Sequence, residues 1–316
     1  MVAVSIIVPL YNKGPYIEET VTSVRQQSIV DFELLIVDNG STDSGPDVVR
    51  QLQHRDRRIV LLNSPRQGPG AARNFGLDAA VGDWIQFLDA DDLLETDHLL
   101  KLLTAAANSP QAEIVAGGWK EFSEGSPHKL TSMSPAGRDG IPLLDSAIAA
   151  APWAVHAVLI RKHFVIQRRW PESLDRLLAE DIAFWFQLCL EAQIVYSDSE
   201  TALYRTQTES CRTQIANVSK WFSGVNAAVE FNLKSLEEKG QAITAGQCAV
   251  LMRLYSDLLS RAEKSGDSEH AQRAGDLAEH WLTECFRAGH RLSPVMMLRK
   301  AFGIRSVERF KRLIGR

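Results

Sequence analysis

Short, almost wholly apolar runs alternate with longer segments of mixed polarity in the first part of the chain. Five of the short runs predict β-strands, at residues 4–10, 32–37, 58–62, 83–88 and 113–117. The segments between them predict helices at residues 15–27, 46–53, 71–80 and 96–107. Consecutive apolar positions are typical of strands that are covered on both faces. The pattern therefore predicts an α/β fold with a doubly wound, mostly parallel sheet, an α/β/α sandwich.

The pattern changes twice in the rest of the chain. Residues 123–140 are rich in Ser, Pro and Gly and predict a loop, either at an active site or crossing to the second half of the fold. A strand is predicted at residues 153–160, a helix at 178–192, and short strands at 194–196 and 202–205. From about residue 217 the sequence is almost wholly helical, which predicts a domain boundary near residue 215.

Composition limits the class of protein. The 316 residues are 45% hydrophobic and 23% charged, and the net charge of −4 provides no general attraction for nucleic acid. The four cysteines are far apart, which predicts reduced thiols in a cytoplasmic protein. The first residues lack the basic start of a signal peptide. The longest apolar run, residues 147–160, is shorter than the roughly 20 residues of a membrane-spanning helix, so we expect a soluble protein.

Three carboxylates follow the apolar run of the fourth predicted strand. They are Asp89, Asp91 and Asp92. Because ligands bind at the carboxyl ends of strands in open α/β sheets, these acids could hold Mg²⁺ or Mn²⁺ and, through it, a diphosphate. The alternative is that acids here begin the next helix as N-caps. That would suit Asp92 or Thr96, but it does not explain Asp89.

Two other strand ends carry side chains that could bind a ligand at the same edge. Asp38 ends the second strand and could accept hydrogen bonds from a nucleobase or a ribose, or serve as a turn residue before Asn39 and Gly40. Tyr11 ends the first strand and could either pack on a base or fill the core. Three such strand ends on one edge favour a binding site over turns alone.

Two further segments are candidates for phosphate binding and for catalysis. Residues 68–76 form a glycine-containing turn into a helix of small residues, which resembles a phosphate-binding loop but also fits close helix–sheet packing. Arg73 of this helix would face the strand edge. Glu180 and Asp181 precede an apolar, aromatic helix, where they could either complement the helix dipole or, partly desolvated, provide a general base.

Four motifs in this order, at residues 4–12, 32–43, 68–76 and 87–92, resemble those of family 2 glycosyltransferases of the GT-A fold. The resemblance covers roughly residues 3–210. It implies that residues 1–215 form a nucleotide-sugar-binding and catalytic domain, with a nucleotide half of about residues 1–118 and an acceptor half of about residues 119–215. Residues 216–316 match no pattern of the family and are predicted to form a helical C-terminal region.

On the nucleotide side, the resemblance implies binding roles for residues at the strand ends. Asp38 would bind the base of the donor, and Arg205 would lie near the diphosphate. The nucleotide pocket would be lined by Pro9, Tyr11 and Arg73.

On the catalytic side, the segment Asp89-Ala90-Asp91 matches the DXD motif of the family. Asp91 would be a direct ligand of Mn²⁺ or Mg²⁺, and Asp89 would face the ribose and the metal. Asp181 matches the general base, and Glu180 is its neighbour facing the acceptor or the donor sugar. The resemblance thus implies an inverting, metal-dependent transferase. It would move a sugar from a nucleotide-diphosphate donor, expected to be a UDP-sugar, to a hydroxyl of a glycan, lipid-linked or small-molecule acceptor.

The chain departs from the family pattern at two places. Residues 170–172, Trp-Pro-Glu, stand where the family often has Phe-Asp-Glu. Gln207 stands where a histidine is common. If that histidine helps to bind metal or diphosphate in relatives, the glutamine puts metal affinity in doubt.

Two other functions compete with this prediction. A sugar-1-phosphate nucleotidyltransferase also uses a doubly wound sheet and magnesium, but needs a glycine-rich, basic loop where this chain offers only Lys13 and Gly14. A non-catalytic scaffold that binds sugar nucleotides would have no reason to keep Asp89, Asp91 and Asp181 together.

The end of the chain is strongly basic. Residues 290–316 contain eight Lys or Arg and one acid, a formal +7, so the rest of the chain carries −11. After Gly303 we predict an amphipathic helix with one apolar and one basic face. The apolar face contains Ile304, Val307, Phe310, Leu313 and Ile314, and the basic face contains Arg305, Arg309 and Arg312.

Such a helix could lie on the anionic inner face of a membrane and bring the enzyme to a lipid-linked acceptor. Alternatively, its apolar face packs on the protein's own helices or on a second copy in a homo-oligomer.

Overall fold

The computed structural model describes residues 2–123, 126–138, 140–206, 218–289 and 294–313, except for the side chains of residues 127, 302 and 309–313. Within these residues nine strands form a single sheet. The strands are β1 (Val4–Leu10), β2 (Phe32–Asp38), β3 (Ile59–Asn63), β4 (Trp84–Phe87), β5 (Leu93–Leu94), β6 (Ile114–Ser123), β7 (Ser126–Met133), β8 (Val158–Arg161) and β9 (Ile194–Thr206). Their order in space is β3-β2-β1-β4-β8-β6-β9-β5, and β7 pairs with β6 outside this path.

Helices connect the early strands and make up the end of the described chain. They are α1 (Gly14–Arg25), α2 (Gly45–Arg55), α3 (Pro69–Ala79), α4 (His98–Ala107), α5 (Leu143–Ala147), α6 (Lys162–Val165), α7 (Glu180–Cys189), α8 (Val218–Glu238), α9 (Ala245–Ser265), α10 (Ser268–Arg287), α11 (Pro294–Phe302) and α12 (Ile304–Leu313). Short 3₁₀ helices lie at Val155–Ala157 and Glu172–Leu174. A proline in the first turn begins α1, α2 and α3, where the missing amide N–H costs no intrahelical bond.

The first four long strands form the parallel half of the sheet. β1 pairs in parallel with β2 on one side and β4 on the other, and β2 pairs in parallel with β3. Ile6 and Ile7 of β1 are fully buried in two different core layers, one on each face of the sheet. Burial on both faces explains why the strand sequences are apolar at consecutive positions. The predicted α/β class with a doubly wound, mostly parallel sheet is confirmed.

The second half of the sheet is mixed and differs from the prediction. β8 runs antiparallel to β4 and to β6, whereas β6 and β9 are parallel. The predicted loop over residues 123–140 was wrong for β7, which pairs antiparallel with β6 from Trp119↔Met133 to Ser123↔Ser126. This polar edge strand is ordered by its backbone pairing with β6 and not by burial of its own side chains, so its composition resembles that of a loop.

Two local predictions in this half were also corrected. The short strands predicted at residues 194–196 and 202–205 belong to one strand, β9. Irregularities in the pairing around Gly118 shift the register, so β6 and β9 remain paired on both sides of the polar segment between the two predicted strands. The strand predicted at residues 153–160 begins with a 3₁₀ turn, and only its last part is β8.

The C-terminal helices share a hydrophobic core with α5, α7 and the segment between them. Phe222 and Val225 of α8 lie in the same buried cluster as Ile182 and Phe186 of α7. The predicted boundary near residue 215 falls in residues 207–217, outside the described part of the chain. The shared core shows that the described helical region packs directly on the element that carries Glu180 and Asp181.

The basic helix α12 turns part of its apolar face inward. Ile304 is fully buried and Val307 is 9% exposed. Arg305 donates a hydrogen bond to the backbone oxygen of Gln272 and pairs with Asp276. For these residues, packing on the protein's own helices is the alternative that the structure supports. The side chains predicted to continue the two faces, Arg309, Phe310, Arg312, Leu313 and Ile314, are outside the described set.

Two expectations from composition can be compared with the described residues. None of their helices combines the length and the apolar character needed to cross a bilayer. Cys189, Cys248 and Cys285 are buried free thiols, and Cys211 lies outside the described residues.

Candidate active site

The predicted binding residues lie along one edge of the sheet because β1 has parallel neighbours on both sides. In the register, Leu10 is opposite Asp38 of β2, and Ile7 is opposite Phe87 of β4. Asp89 follows Phe87 by two residues and therefore emerges at the same edge. Strand pairing alone thus brings the ends of three strands together.

The ends of β1 and β2 form one side of this edge. Pro9 and Asp38 are half-buried, and Tyr11 is 57% exposed. Tyr11 therefore does not fill the core, which was one of its two predicted roles. Asp38 Oδ1 accepts a hydrogen bond from the backbone N–H of Ser41 at 3.0 Å, so it stabilises the following turn.

Lys13 contributes a positive charge at the end of β1. Its Nζ lies 2.5 Å from Asp91 Oδ2, and each side chain is 16% exposed. The sequence identifies Lys13 only as part of a loop too poor in glycine for a nucleotidyltransferase. Its place directly after a strand of the binding edge was the signal that could have identified it.

Asp92 lies inside the protein beneath this edge. It accepts a hydrogen bond from the backbone N–H of Arg205 at 2.7 Å, and its other oxygen is 3.1 Å from His156 Nδ1. Burial, followed by repulsion from Asp91 and Asp89, raises the pKa of Asp92 well above its usual value. Burial lowers the pKa of His156 to about 4. Asp92 therefore joins the DXD segment to β9 and to the 3₁₀ turn that precedes β8.

The alternative role of Asp92 or Thr96 as a helix cap was wrong. α4 begins at His98, with Asp97 at the N-cap position. Asp92 has its own buried partners in another strand, so it is not available to the amide groups of this helix.

Arg73 connects the donor-side acids with the acids of α7. Its Nη2 is 2.7 Å from Asp89 Oδ1, and its Nη1 is 3.6 Å from Glu180 Oε1. The guanidinium lies 4.2 Å from the ring centre of Trp170. Burial favours the neutral form of Arg73, but Asp89 and Glu180 outweigh it, so the pKa of Arg73 is raised and the side chain is charged. One buried cation therefore contacts both predicted carboxylate motifs.

Asp181 lies in the first turn of α7. Its Oδ1 accepts a hydrogen bond from the backbone N–H of Ile182 at 3.0 Å. Burial, followed by repulsion from Glu180, raises the pKa of Asp181 to about 6, and Arg73 opposes this rise. A carboxylate with this pKa is ionised at neutral pH and still binds a proton readily. This combination suits a general base.

Arg205 lies close to the DXD segment but is held by the protein itself. Its Nε donates a hydrogen bond to the backbone oxygen of Asp91 at 2.8 Å, and its Nη2 pairs with Glu19 at 2.5 Å. The guanidinium also lies near the rings of Tyr16 and Phe122, at 5.3 and 4.7 Å from their centres. Arg205 therefore supports the backbone of the DXD segment, in addition to any contact with a diphosphate.

The glycine turn before α3 binds a carboxylate of the protein's own chain. The backbone N–H groups of Gly70 and Ala71 donate to the two oxygens of Asp175 at 2.7 and 2.9 Å. A Cβ added at Gly68, whose φ is +131°, would lie 2.1 Å from Asp175 Oδ2. The turn therefore has the anion-binding character that its sequence suggested, and glycine lets the carboxylate approach closely.

Residues 170–172, which depart from the family pattern, are hydrogen-bonded to α3 and to the turn before it. Glu172 accepts two hydrogen bonds from Arg66, at 2.7 and 2.9 Å, and one from Asn74 Nδ2 at 3.0 Å. Asn74 also exchanges hydrogen bonds with the backbone of Trp170. This departure from the family pattern therefore forms a polar connection between α3 and the chain that leads to α7.

The carboxylates of the DXD segment fit a hard divalent cation. Among the described residues, no cluster of three or more His, Cys, Asp or Glu could hold a metal ion by itself. Asp89 and Asp91 offer oxygen ligands from two side chains, which suits Mg²⁺ or Mn²⁺ because these ions commonly keep water and substrate phosphate as further ligands. Gln207, whose effect on metal affinity was in question, lies outside the described residues.

Four residues with contacts in this region were not predicted from the sequence. Lys13 could have been found from its place at a strand end. Trp170, His156 and Asp175 had no such signal, because each reaches the site from a segment far from the strand ends in sequence. Their roles depend on tertiary packing and have no periodicity or motif in the sequence.

A family model and several curated proteins that match this chain are all described as glycosyltransferases. A family model described as "Glycosyl transferase family 2" matches residues 5–164. An uncharacterized glycosyltransferase of Haemophilus influenzae is 32% identical over 210 residues, which are 65% of this chain and 80% of that protein. Five other bacterial glycosyltransferases are each matched over less than half of their own length.

Solved structures share the fold at low sequence identity. Residues 1–349 of Staphylococcus aureus TarS in complex with UDP superpose with a TM-score of 0.65 and 20% identity, over 99% of this chain and 92% of that one. The mannosyltransferase PcManGT of Pyrobaculum calidifontis, in complex with GDP-Man and Mn²⁺, gives a TM-score of 0.52 and 16% identity, over 91% of this chain and 88% of that one.

Proposed function

The chain belongs to glycosyl transferase family 2, and from this premise we propose that it transfers a sugar, with inversion, from a nucleotide-diphosphate donor to a hydroxyl group. The observation that carries the proposal is the contact of one buried cation, Arg73, with both Asp89 and Glu180. It supports a single site in which the donor-side acids face the candidate base. The donor we propose is a UDP-sugar, because TarS, with the same fold, binds UDP. The acceptor is a glycan, a lipid-linked molecule or a small molecule.

The proposed reaction is one in-line displacement. The acceptor oxygen attacks the anomeric carbon while the bond from that carbon to the diphosphate oxygen breaks. Asp181 takes the proton of the attacking hydroxyl, and its pKa of about 6 suits this role. Glu180, held by Arg73, faces the acceptor or the donor sugar. A single displacement inverts the configuration and needs no carboxylate nucleophile.

The proposed cofactor is Mn²⁺ or Mg²⁺, held by Asp91 as the direct ligand and by Asp89. When bound, the cation neutralises negative charge on the leaving diphosphate. The Mn²⁺ that accompanies GDP-Man in PcManGT supports this choice. Lys13, at 2.5 Å from Asp91, offers a second positive charge to the same diphosphate.

The nucleotide would bind along the ends of β1 and β2. We propose that Asp38 accepts hydrogen bonds from the base and that Pro9 and Tyr11 line the pocket. The 57% exposure of Tyr11 leaves its ring free to pack on a base. Arg205 lies next to Asp91 and would complete the pocket near the diphosphate.

The test is the stability of the protein with donor and metal. A donor UDP-sugar at a hundred times its dissociation constant should add about 2.7 kcal/mol to the free energy of unfolding, and the effect should require Mn²⁺. Asp91→Ala should abolish this gain. Asp83→Ala is a matched control, because the exposed Asp83 precedes the same strand at the opposite edge of the sheet. If Asp91→Ala binds donor normally and keeps its dependence on Mn²⁺, the DXD assignment is wrong.

We propose a cytoplasmic location with peripheral contact to the membrane, where a lipid-linked acceptor would be available. The candidate surface is α11, because α12 is partly packed inward. Val295, Met297 and Leu298 of α11 are 39%, 53% and 49% exposed. Contact of the same helices with a second copy is the alternative.

A further inference from the structure

Ala179, the residue before Glu180 and Asp181, has a left-handed backbone conformation, with φ 72° and ψ 29°. In the described part of the chain, only Asn12 shares a positive φ among non-glycine residues. This conformation is disfavoured for a residue with a Cβ and persists only where surrounding structure holds it. The turn that begins α7 is therefore maintained by tertiary contacts.

Helix α8 packs directly on this turn. A Cβ added at Gly224 would lie 2.1 Å from the backbone oxygen of Leu178 and 2.8 Å from its carbonyl carbon and nitrogen. The two backbones are in contact, with no space for a side chain between them. Phe222 and Val225, on either side of Gly224, are 1% exposed and belong to the same core cluster as Ala179.

The direction of the Asp181 side chain depends on this turn. The backbone N–H of Ile182 lies within hydrogen-bond distance of Ala179 O, at 3.2 Å, and of Asp181 Oδ1, at 3.0 Å. The carboxylate is thus tied to the first turn of α7, whose orientation follows from the backbone at Leu178 and Ala179. A displacement of the Leu178 peptide would therefore reorient Asp181.

We propose that Gly224 is a positioning residue for the transfer reaction. Through Gly224, the C-terminal helical region holds the turn at Leu178 and Ala179 and aims Asp181 at the acceptor hydroxyl. This inference rests on the proposed role of Asp181 as the base. Gly224 lies outside residues 5–164, which the family model matches. The geometry of the base would accordingly depend on the C-terminal helical region.

The test compares two glycine substitutions in the helical region. Gly224→Ala places a methyl group against rigid backbone, whereas Gly275→Ala in α10 meets only the flexible end of the Arg305 side chain. We expect Gly224→Ala to lower kcat for transfer about 10- to 100-fold, the effect of a small misplacement of a reacting group. The dissociation constant of the UDP-sugar with Mn²⁺ should stay within about twofold of wild type, as expected when ground-state binding is untouched. The acidic limb of the kcat–pH profile should also move. Gly275→Ala should change none of these quantities.

A second variant serves if Gly224→Ala does not fold. Val225→Ala removes buried methyl groups without adding a clash, and it should lower kcat with donor affinity unchanged. A folded Gly224→Ala protein with wild-type kcat, or one that loses donor binding in proportion to kcat, would overturn the inference. A folded Val225→Ala protein with either of these two results would overturn the inference as well.

Asp181→Asn, measured in the same assay, distinguishes failure of the role of Gly224 from failure of the proposed role of Asp181. If Asp181→Asn is inactive and Gly224→Ala is fully active, the inference alone fails. If Asp181→Asn transfers at the wild-type rate, the proposed base and the inference fail together.

Discussion

The Asp181 carboxylate binds a proton more tightly than an ordinary aspartate. Burial and the neighbouring Glu180 disfavour its charged form and raise its pKa from 3.8 to about 6. Between these two pH values the folded protein retains a proton that the unfolded chain has lost. The contribution of this group to stability therefore falls as the pH rises through that window, and at neutral pH its charge destabilises the fold.

Asp181→Asn should separate catalysis from stability. We expect kcat for transfer to fall about 10²- to 10⁴-fold, because the amide cannot accept the proton. The affinity for donor should be unchanged, and the free energy of unfolding at pH 7.5 should rise by up to about 1–2 kcal/mol, because an unfavourable charge is removed. In the wild type, kcat should fall with decreasing pH below about 6, the pKa of Asp181.

Steady-state kinetics and urea denaturation check these expectations. Asp257→Asn, at an exposed site on α9, provides a control for the loss of an aspartate charge. Unchanged turnover in Asp181→Asn would remove Asp181 from the mechanism. A loss of stability equal to the loss of activity would instead indicate that its main role is in the first turn of α7.

Positive side chains balance the acids at this edge. Lys13 contacts Asp91, and Arg73 contacts Asp89 and Glu180. The cations reduce the electrostatic repulsion between these carboxylates. They also lie where a diphosphate would bring further negative charge.

At the scale of elements, strand ends and helix beginnings supply the polar groups of the site. β1, β2 and β4 end at the same edge, and α7 begins beside it with Glu180 and Asp181. The amides at the beginning of α3 bind Asp175, which belongs to the segment leading to α7. The part of the chain that contains β1 to β4 and the segment that leads to α7 are thus connected by charged and polar contacts around the site.

A second polar connection joins the helical region to α5. Thr244 caps α9 in a capping box with Gln247, and its hydroxyl donates to Asp145 Oδ1 at 2.7 Å. Thr244→Ala should lower the free energy of unfolding by about 1–2 kcal/mol, because the helix loses its cap.

The measurement for Thr244→Ala is urea denaturation, with kcat and the donor KM as controls for function. Thr244→Ser keeps the hydroxyl and should retain most of the stability. Equal stability of the alanine and serine variants would contradict the importance of this cap.

At the scale of the whole molecule, the basic end of the chain remains a candidate for membrane contact. Residues 290–316 carry a formal +7, while the rest carries −11. Exposed apolar side chains of α11 lie in this basic region, which favours an anionic lipid surface over a neutral one.

Leu298→Glu should weaken binding to vesicles of anionic phospholipid about 10- to 100-fold, because burial of one leucine contributes roughly 1.5–3 kcal/mol. Vesicle co-sedimentation at low salt is the measurement. Leu100→Glu is a matched control, since Leu100 is a 42% exposed leucine on α4 of the sheet domain. If the wild type ignores anionic vesicles at low salt, or if both variants bind equally well, the lipid surface is refuted. Self-association detected by sedimentation would then favour the second copy.

Much of the parallel half could be predicted from local pattern. The strands β1 and β2 lie within about two residues of their predicted bounds, because burial on both faces leaves an unambiguous apolar run. The helices α2 and α3 do so as well, because a proline in the first turn marks where each begins. β7 was missed because an edge strand has little burial of its own. β9 was predicted as two strands because its polar middle interrupts the apolar pattern, whereas β6 pairs with β9 on both sides of that segment.

The sequence by itself determined the α/β class, the edge at which Asp38, Asp89 and Asp91 emerge, and the family to which the chain belongs. These features follow from residues close to one another along the chain, through apolar runs, turns and short motifs. Tertiary structure alone decided that Arg73 contacts both Asp89 and Glu180, and that α8 presses on the turn before Asp181. Such contacts join segments that are separated along the chain, and the fold must form before their charges and backbones can meet.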